Sequence, residues 1–351
     1  MVTRIYGTNG ADRIVQNYRA DLEVFAYAGN DTIILNRVDD LGGYNYVNAG
    51  NGADTVRNEF EGGNDIFLGG GNDTYIHTGF AGDLSDYDVV SGGGGADKFQ
   101  VKTLQSVYYG DGGNDGFLSA GFENTFNGGS GVDTISYMLQ NNSSQRGRGV
   151  YVDLGGNFAK TAPNRYEDLF NIENATGTNV NDTLIGSGRN NSLNGKDGND
   201  VLEGLGGADQ LIGEKGGDDL YGGNGGDDLY GGSSRDTLVG GRGHDFLEGG
   251  GGADRFVFNT RQESTANAQR DVITDFARSE GDKIDLRSMD ADSTRGGNQA
   301  FDFVGTATFS GDAGELRYRG HIISADINGD RMADFQLDVN LTRYVANDFL
   351  L

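Results

Sequence analysis

From Gly177 to Val257 the chain is built of nine consecutive nine-residue units without an insertion, a regularity that few folds can accommodate. The units begin at Gly177, Gly186, Gly195, Gly204, Gly213, Gly222, Gly231, Gly240 and Gly249. Their sixth places hold Asp182, Asn191, Asp200, Asp209, Asp218, Asp227, Asp236, Asp245 and Asp254. Their eighth places hold Leu184, Leu193, Leu202, Leu211, Leu220, Leu229, Leu238, Leu247 and Phe256. A Gly/Asp-rich disordered linker could share the composition, but not nine apolar residues in register.

The spacing predicts a six-residue turn followed by a three-residue strand, which together make half a turn of a parallel coil with the eighth residue pointing inward. Glycine lets the turn adopt left-handed backbone conformations that side chains resist, so that several carbonyl oxygens can face one point. Aspartate adds carboxylate oxygen there. Calcium takes about six to eight oxygens at roughly 2.3–2.6 Å, which two successive coils can supply, so calcium is the expected cofactor. Corners on one side recur every second unit. Asp182, Asp200, Asp218, Asp236 and Asp254 therefore share one edge, and Asn191, Asp209, Asp227 and Asp245 the other. The gaps between neighbours make room for about seven ions, with the Asn191 site the weakest. Without metal, carboxylates about 5 Å apart repel by roughly 3 kcal/mol per pair at an effective dielectric near 20, and the stretch is expected to unfold.

This run resembles the repeats-in-toxin (RTX) nonapeptide. The resemblance implies an all-β parallel β-roll, a β-solenoid with bound calcium, here as two or more stacked rolls with a C-terminal β cap. The expected organisation is a degenerate roll over 1–136, a connector over 137–176, the regular roll over 177–258 and a capping and secretion domain over 259–351.

Composition agrees with a repeat protein. The 351 residues include 62 Gly and a single Pro, Pro163, and carry a net charge of −26. Such acidity suits many cation sites and argues against nucleic acid and anionic membranes, which select basic faces. There is no Cys, so metal rather than disulfide is the expected staple. No apolar run approaches a transmembrane segment, and Met1 to Val15 lacks the basic and apolar pattern of a Sec signal.

The segments Asp271–Phe276, Gly281–Leu286, Phe309–Gly311 with Ala313–Tyr318, and Asp326–Asp330 with Ala333–Phe335 resemble the C-terminal domain of serralysin-type metalloproteases, in the same order. In that family they extend and cap the roll. Asp348-Phe349-Leu350-Leu351 resembles the uncleaved signal of proteins exported by type I ABC transporters, although a last β-strand of the domain would read the same way. The resemblance implies a type I exporter as partner, an extracellular location and a Gram-negative source. Asp326, Asn328, Asp330 and Asp334 have the spacing of an oxygen-ligand calcium loop. Arg331 and Leu337 exclude an EF-hand, and a solvated turn is the alternative reading.

Weaker copies of the unit fill the first half. Units beginning at Asp83, Gly92, Val101, Gly110, Ser119 and Gly128 hold Asp88, Asp97, Ser106, Asp115, Asn124 and Asp133 at the sixth place. Their eighth places are Val90, Phe99, Tyr108, Phe117, Phe126 and Ile135. Calcium is therefore expected along Asp97, Asp115 and Asp133, and the opposite, degenerate edge is expected to be free to bind something else. Farther upstream, motifs around Gly7, Asp31, Gly50, Asn64 and Asp73 recur with irregular spacing. The connector carries Arg146, Arg148 and strand-like Val150–Leu154.

No catalytic residue is assigned. The only histidines are His77, His244 and His321, so the HExxH zinc helix of serralysins is missing, and neither a GxSxG elbow nor a thiol is present. The expected protein is non-enzymatic, a secreted calcium-binding structural or adhesive protein of the cell surface or extracellular matrix. Extracellular polysaccharide, held by exposed Tyr of residues 1–137, and self-assembly are its expected contacts. The alternative is a polysaccharide lyase or epimerase with its site in residues 1–137.

Overall fold

The computed structural model describes residues 2–17, 21–36, 44–59, 62–78, 87–142, 149–266, 269–341 and 343–351. The unit start at Asp83, and Arg146 and Arg148 of the connector, lie outside these residues. Among the described residues the regular structure is β-strand, with two short 3-10 turns, Met138–Asn142 and Ala346–Asp348, and no α-helix. The chain divides into two units, Met1–Thr178 and Asn179–Leu351. Each is a parallel β-roll.

In the second unit, Thr183–Ser187, Val201–Gly206, Asp219–Asn224, Thr237–Arg242, Arg255–Val257 and Lys283–Asp285 pair in parallel to form one sheet. Ser192–Asp197, Gln210–Lys215, Asp228–Ser233, Phe246–Gly251 and Val272–Ile273 form the other. Consecutive strands alternate between the sheets, so two units make one full coil. Register places Leu184, Leu202, Leu220, Leu238, Phe256 and Ile284 in one buried column, and Leu193, Leu211, Leu229, Leu247 and Ile273 in the other. Each buried chain contributes roughly 1.5–3 kcal/mol, little per half-coil, so the stack gains stability only by repetition. Most strands are longer than the expected three residues, because pairing continues into the first three places of the next unit, as Leu205 with Gly223 and Gly206 with Asn224.

The last coil is covered. Phe335–Val339 pairs in parallel with Val272–Ile273 and antiparallel with Ile322–Asp326, which pairs with Glu315–Arg319. Phe349–Leu350 pairs in parallel with Lys283–Asp285, and Phe349 is buried. These strands occupy edges that would otherwise invite another chain.

The first unit repeats the plan with larger side chains. Its two inward columns run Val24, Val47, Ile66, Val90, Tyr108, Phe126, Leu169 and Ile14, Ile33, Val56, Tyr75, Phe99, Phe117, Ile135, Ala175, all buried. Phe99 stacks on Phe117 at 4.8 Å and Tyr108 on Phe126 at 5.4 Å. The strand Arg165–Phe170 ends the first sheet, and Phe158–Ala162 and Tyr151–Asp153 add to it as an antiparallel pair.

Candidate metal centre

The seven turns beginning at Gly195 through Gly249 each contain two left-handed residues, at the second and fourth places, as Gly223 (φ 113°) and Gly225 (φ 148°) show. At the fourth place of most of these turns a side chain has little room: a Cβ on Gly216 would collide with the carbonyl of Gly198 in the previous coil, although Ser234 holds this place at φ 92°. The first place has an ordinary backbone and is glycine for a different reason. A Cβ on Gly213 would collide with Oδ2 of Asp218 and the carbonyl of Gly231. Glycine there keeps space open around a carboxylate oxygen.

The sixth-place carboxylates form ladders. The amide of Asp182 donates to Oδ1 of Asp200, Asp200 to Asp218 and Asp218 to Asp236, each at 2.8 Å, and Asp236 donates to Asp254 at 2.9 Å. On the other edge Asn191 donates to Asp209 at 2.7 Å, Asp209 to Asp227 and Asp227 to Asp245 at 2.9 Å. In the first unit Asp97 donates to Asp115 and Asp115 to Asp133. All of these carboxylates are buried.

One oxygen of each is thereby satisfied and the second is not. Oδ2 of Asp200, Asp209, Asp218, Asp227, Asp236, Asp245 and Asp254 is buried without a hydrogen-bond partner, as are those of Asp97, Asp115 and Asp133. Such oxygens are rare in folded proteins and point to a missing cation. Burial pushes Asp54, Asp133, Asp209, Asp218 and Asp254 up to about 6, Asp97, Asp200, Asp236 and Asp245 up to about 7, and Asp271 up to about 9, with the donated amide bonds opposing the rise. No three acidic or imidazole side chains converge on one point among the described residues. The donor set that fits is therefore carboxylate plus turn carbonyl, a set of hard oxygens suited to calcium. Asn191 differs, since its Oδ1 accepts the Ser187 amide at 2.6 Å within its own turn.

The ladders extend beyond the residues expected from the sequence. Asp12, Asp31, Asp54 and Asp73 continue the Asp97 edge through amide-to-Oδ1 bonds of 2.7–2.8 Å. Oδ2 of Asp31, Asp54 and Asp73 also lacks a partner. Their separations of 19, 23, 19 and 24 residues, against 18 in the regular ladders, concealed the frame, although the turn pattern of Gly29-Asn30-Asp31 and Gly71-Asn72-Asp73 was the available signal. Asp271 and Asp282 likewise accept the amides of Asp245 and Asp254 at 3.0 Å.

The degenerate edge of the first unit is not the free face expected of it. Asn45, Asn64, Asp88, Ser106 and Asn124 are buried and bonded to one another. Asn45 Nδ2 donates to Asn64 Oδ1 at 2.7 Å, and Asn64 Nδ2 to Asp88 Oδ1 at 2.8 Å. Asp88 Oδ2 accepts Tyr75 Oη at 2.7 Å and Asn58 Nδ2 at 3.2 Å. Asn124 Nδ2 donates to Glu167 Oε1 at 3.1 Å. Side-chain amides and hydroxyls here supply the protons that a bare carboxylate ladder lacks. His77, whose Nε2 lies 3.8 Å from Asp88 Oδ2, belongs to this interior network and is buried.

The loop of Asp326, Asn328, Asp330 and Asp334 is closed by its own backbone. Asp326 accepts the amides of Gly329 and Arg331, Asp334 that of Ile327, Asn328 that of Asp330 and Asp330 that of Met332, all at 2.8 Å. None of its carboxylate oxygens is left buried and unpartnered in the manner of the ladders. This is the hydrogen-bonded turn weighed as the alternative to an ion loop.

Residues 109–351 match the family described as Peptidase M10 serralysin C terminal. No curated protein matches the chain. Among solved structures, the solution structure of the AlgE6R3 subunit from the Azotobacter vinelandii mannuronan C5-epimerase is similar at 22% identity, over 49% of this chain and 78% of that one, with a TM-score of 0.20.

Proposed function

Because the chain belongs to the peptidase M10 serralysin C-terminal family, whose RTX-type repeats form calcium-binding β-rolls, we propose that it is an extracellular structural or adhesive protein assembled by calcium along its aspartate ladders. One observation carries this reading. In both units, row after row of aspartates holds one carboxylate oxygen on the neighbouring coil while the other is buried without a partner. Calcium would supply the positive charge these oxygens lack and tie each coil to the next. The residues that would hold it are Asp200, Asp209, Asp218, Asp227, Asp236, Asp245 and Asp254 in the second unit, and Asp97, Asp115 and Asp133 with Asp31, Asp54 and Asp73 in the first. Asp182 and Asn191 stand at the ladder starts as weaker contributors, and the self-satisfied Asp326 loop is not needed.

Low cytosolic calcium would keep such a chain unfolded for a type I exporter, and external calcium would then fold it. No helix among the described residues is long and apolar enough to cross a membrane. Equilibrium dialysis with radioactive calcium tests the assignment. Binding by many sites, reduced in Asp218→Asn and Asp115→Asn but unchanged in Asp326→Asn that remains folded, supports the ladders. Equal loss in all three variants, or no saturable binding, overturns them.

A further inference from the structure

Arg235, Arg255 and Lys283 line a groove of about 350 Å3 on the second unit. Register sets Arg255 directly beside Lys283 on neighbouring parallel strands. Strands lie about 4.8 Å apart, so two like charges side by side destabilise the pair. Asp254, one of the ladder carboxylates, also lines the groove, while two other nearby carboxylates are committed elsewhere. Asp285 is held by Arg287 through bonds of 3.0 and 2.7 Å, and lies 3.8 Å from Arg255. Asp348 is held at both oxygens by Arg278. Lys283 donates to the neutral carbonyl of Asn347, and Arg255 to the hydroxyl of Thr237. Arg235 is exposed and makes no ion pair among the described residues. The fold thus gathers three cations with an incomplete set of counter-charges.

A second recess of about 300 Å3 lies on the outward side of the same sheet, lined by Glu203, Leu205, Tyr221 and Gly223. The Leu205 and Tyr221 side chains are exposed, and the Tyr221 phenol lies within reach of the charges of Asp219 and Glu203 as well as that of Arg255. An inorganic anion would use only the cations. A saccharide that carries carboxylates would use both features, with guanidinium and ammonium groups on its carboxylates and the phenol ring against an apolar sugar face.

We infer that this outward face of the second unit binds a uronate-rich acidic polysaccharide. The site is built from residues of the second unit alone. It goes beyond the calcium reading and shares with it the folded roll and Asp254, which also lines the groove.

The test is calorimetric titration of the full chain, folded in calcium at equal concentration in cell and syringe, with a hexagalacturonate and with a neutral hexasaccharide. Expected is salt-sensitive binding of the uronate alone, weakened at least about tenfold in Arg255→Gln/Lys283→Gln and severalfold in Tyr221→Ser. A control, Lys196→Gln/Lys215→Gln, removes cations already paired with Glu214 and Asp197 and should bind as the unaltered chain does. No binding by the unaltered chain, equal binding by the groove variant, or inorganic phosphate binding as tightly as the hexamer would overturn the inference. Circular dichroism of each variant in calcium confirms the roll, so failure of the groove leaves the calcium assignment standing.

Discussion

The backbone amide of Asp218 donates to Oδ1 of Asp236, 2.8 Å away in the next coil, while Oδ2 of Asp236 is buried with no partner. One side chain therefore registers two coils and presents an unsatisfied negative oxygen at the same point. Asp236→Asn keeps an oxygen for the amide and removes the charge. Its calcium midpoint, followed by circular dichroism, should rise roughly tenfold, equivalent to about 1.4 kcal/mol. Asn191→Asp should lower the midpoint, because it supplies the carboxylate that this one corner lacks.

Without metal the same ladders set the pH dependence. Folded Asp97, Asp200, Asp236 and Asp245 titrate near 7, above the ordinary value of 3.8, because burial disfavours their charge. The folded, metal-free roll then binds more protons than the unfolded chain. Its stability should be greatest below about pH 4 and fall as pH rises through 6–7. Calcium binding should release protons near pH 6, measurable by calorimetry in buffers of different ionisation enthalpy. A metal-free chain that gains structure as pH rises would contradict this sign.

Glu167 gives the corresponding test away from the calcium ladders. It is buried, accepts Ser119 Oγ at 2.8 Å and Asn124 Nδ2 at 3.1 Å, and is pushed by burial up to about 7 against these hydrogen bonds. Its contribution to stability is full below pH 4.5 and lost as pH rises through 7. Glu167→Gln should therefore stabilise the first unit by up to about 3 kcal/mol at pH 8 and change little at pH 4. Chemical denaturation in saturating calcium at pH 8, and in metal-free buffer at pH 4, separates the two cases.

Arg278 grips Asp348 through two bonds of 2.6 Å and so fastens the strand Phe349–Leu350 to the roll. Burial is the largest single influence and would raise Asp348, but the Arg278 bonds, the Val345 amide and the charges of Arg278 and Lys283 together hold the carboxyl below its ordinary value. Arg278→Ala leaves a buried charge unpaired and should destabilise the second unit by about 2–3 kcal/mol. The pair's contribution should persist above pH 4 and vanish as pH falls through the lowered value, so the difference in melting temperature should shrink in acid. In the folded chain Asp348 and Phe349 are buried, so a type I exporter would meet these two residues only before folding. Deleting Asp348 to Leu351 should retain the chain inside cells that carry a matching exporter, and unchanged secretion would exclude that role.

The regular roll was legible because its frame has no insertions: Leu184 through Phe256 fall in register every nine residues, and the structure buries every one of them. In the first unit the strict frame was legible only over the units beginning at Asp83 through Gly128. Upstream, extra residues lengthen the intervals between Asp31, Asp54, Asp73 and Asp97, and Ala26, Ala49 and Leu68 stand where the regular turns begin with glycine. The degenerate edge was misjudged for another reason. Asp88 is satisfied by Tyr75 and Asn58, and Asn124 by Glu167, partners 13 to 43 residues away that only the coil brings together. Loss of the aspartate pattern there records a change of internal chemistry, from carboxylates awaiting a cation to amides and hydroxyls that complete one another.

Far-ultraviolet circular dichroism of the full chain tests calcium assembly most directly, in metal-free buffer at pH 7.5, then in millimolar magnesium, then in millimolar calcium. Expected is a largely unfolded spectrum in the first two and a cooperative change to β-structure in the third, because magnesium retains its waters in a tight octahedral shell while calcium accepts carbonyls and carboxylates freely. A native β-spectrum in metal-free buffer that calcium leaves unchanged would show that the buried Oδ2 rows need no cation and would contradict calcium-driven assembly of the roll.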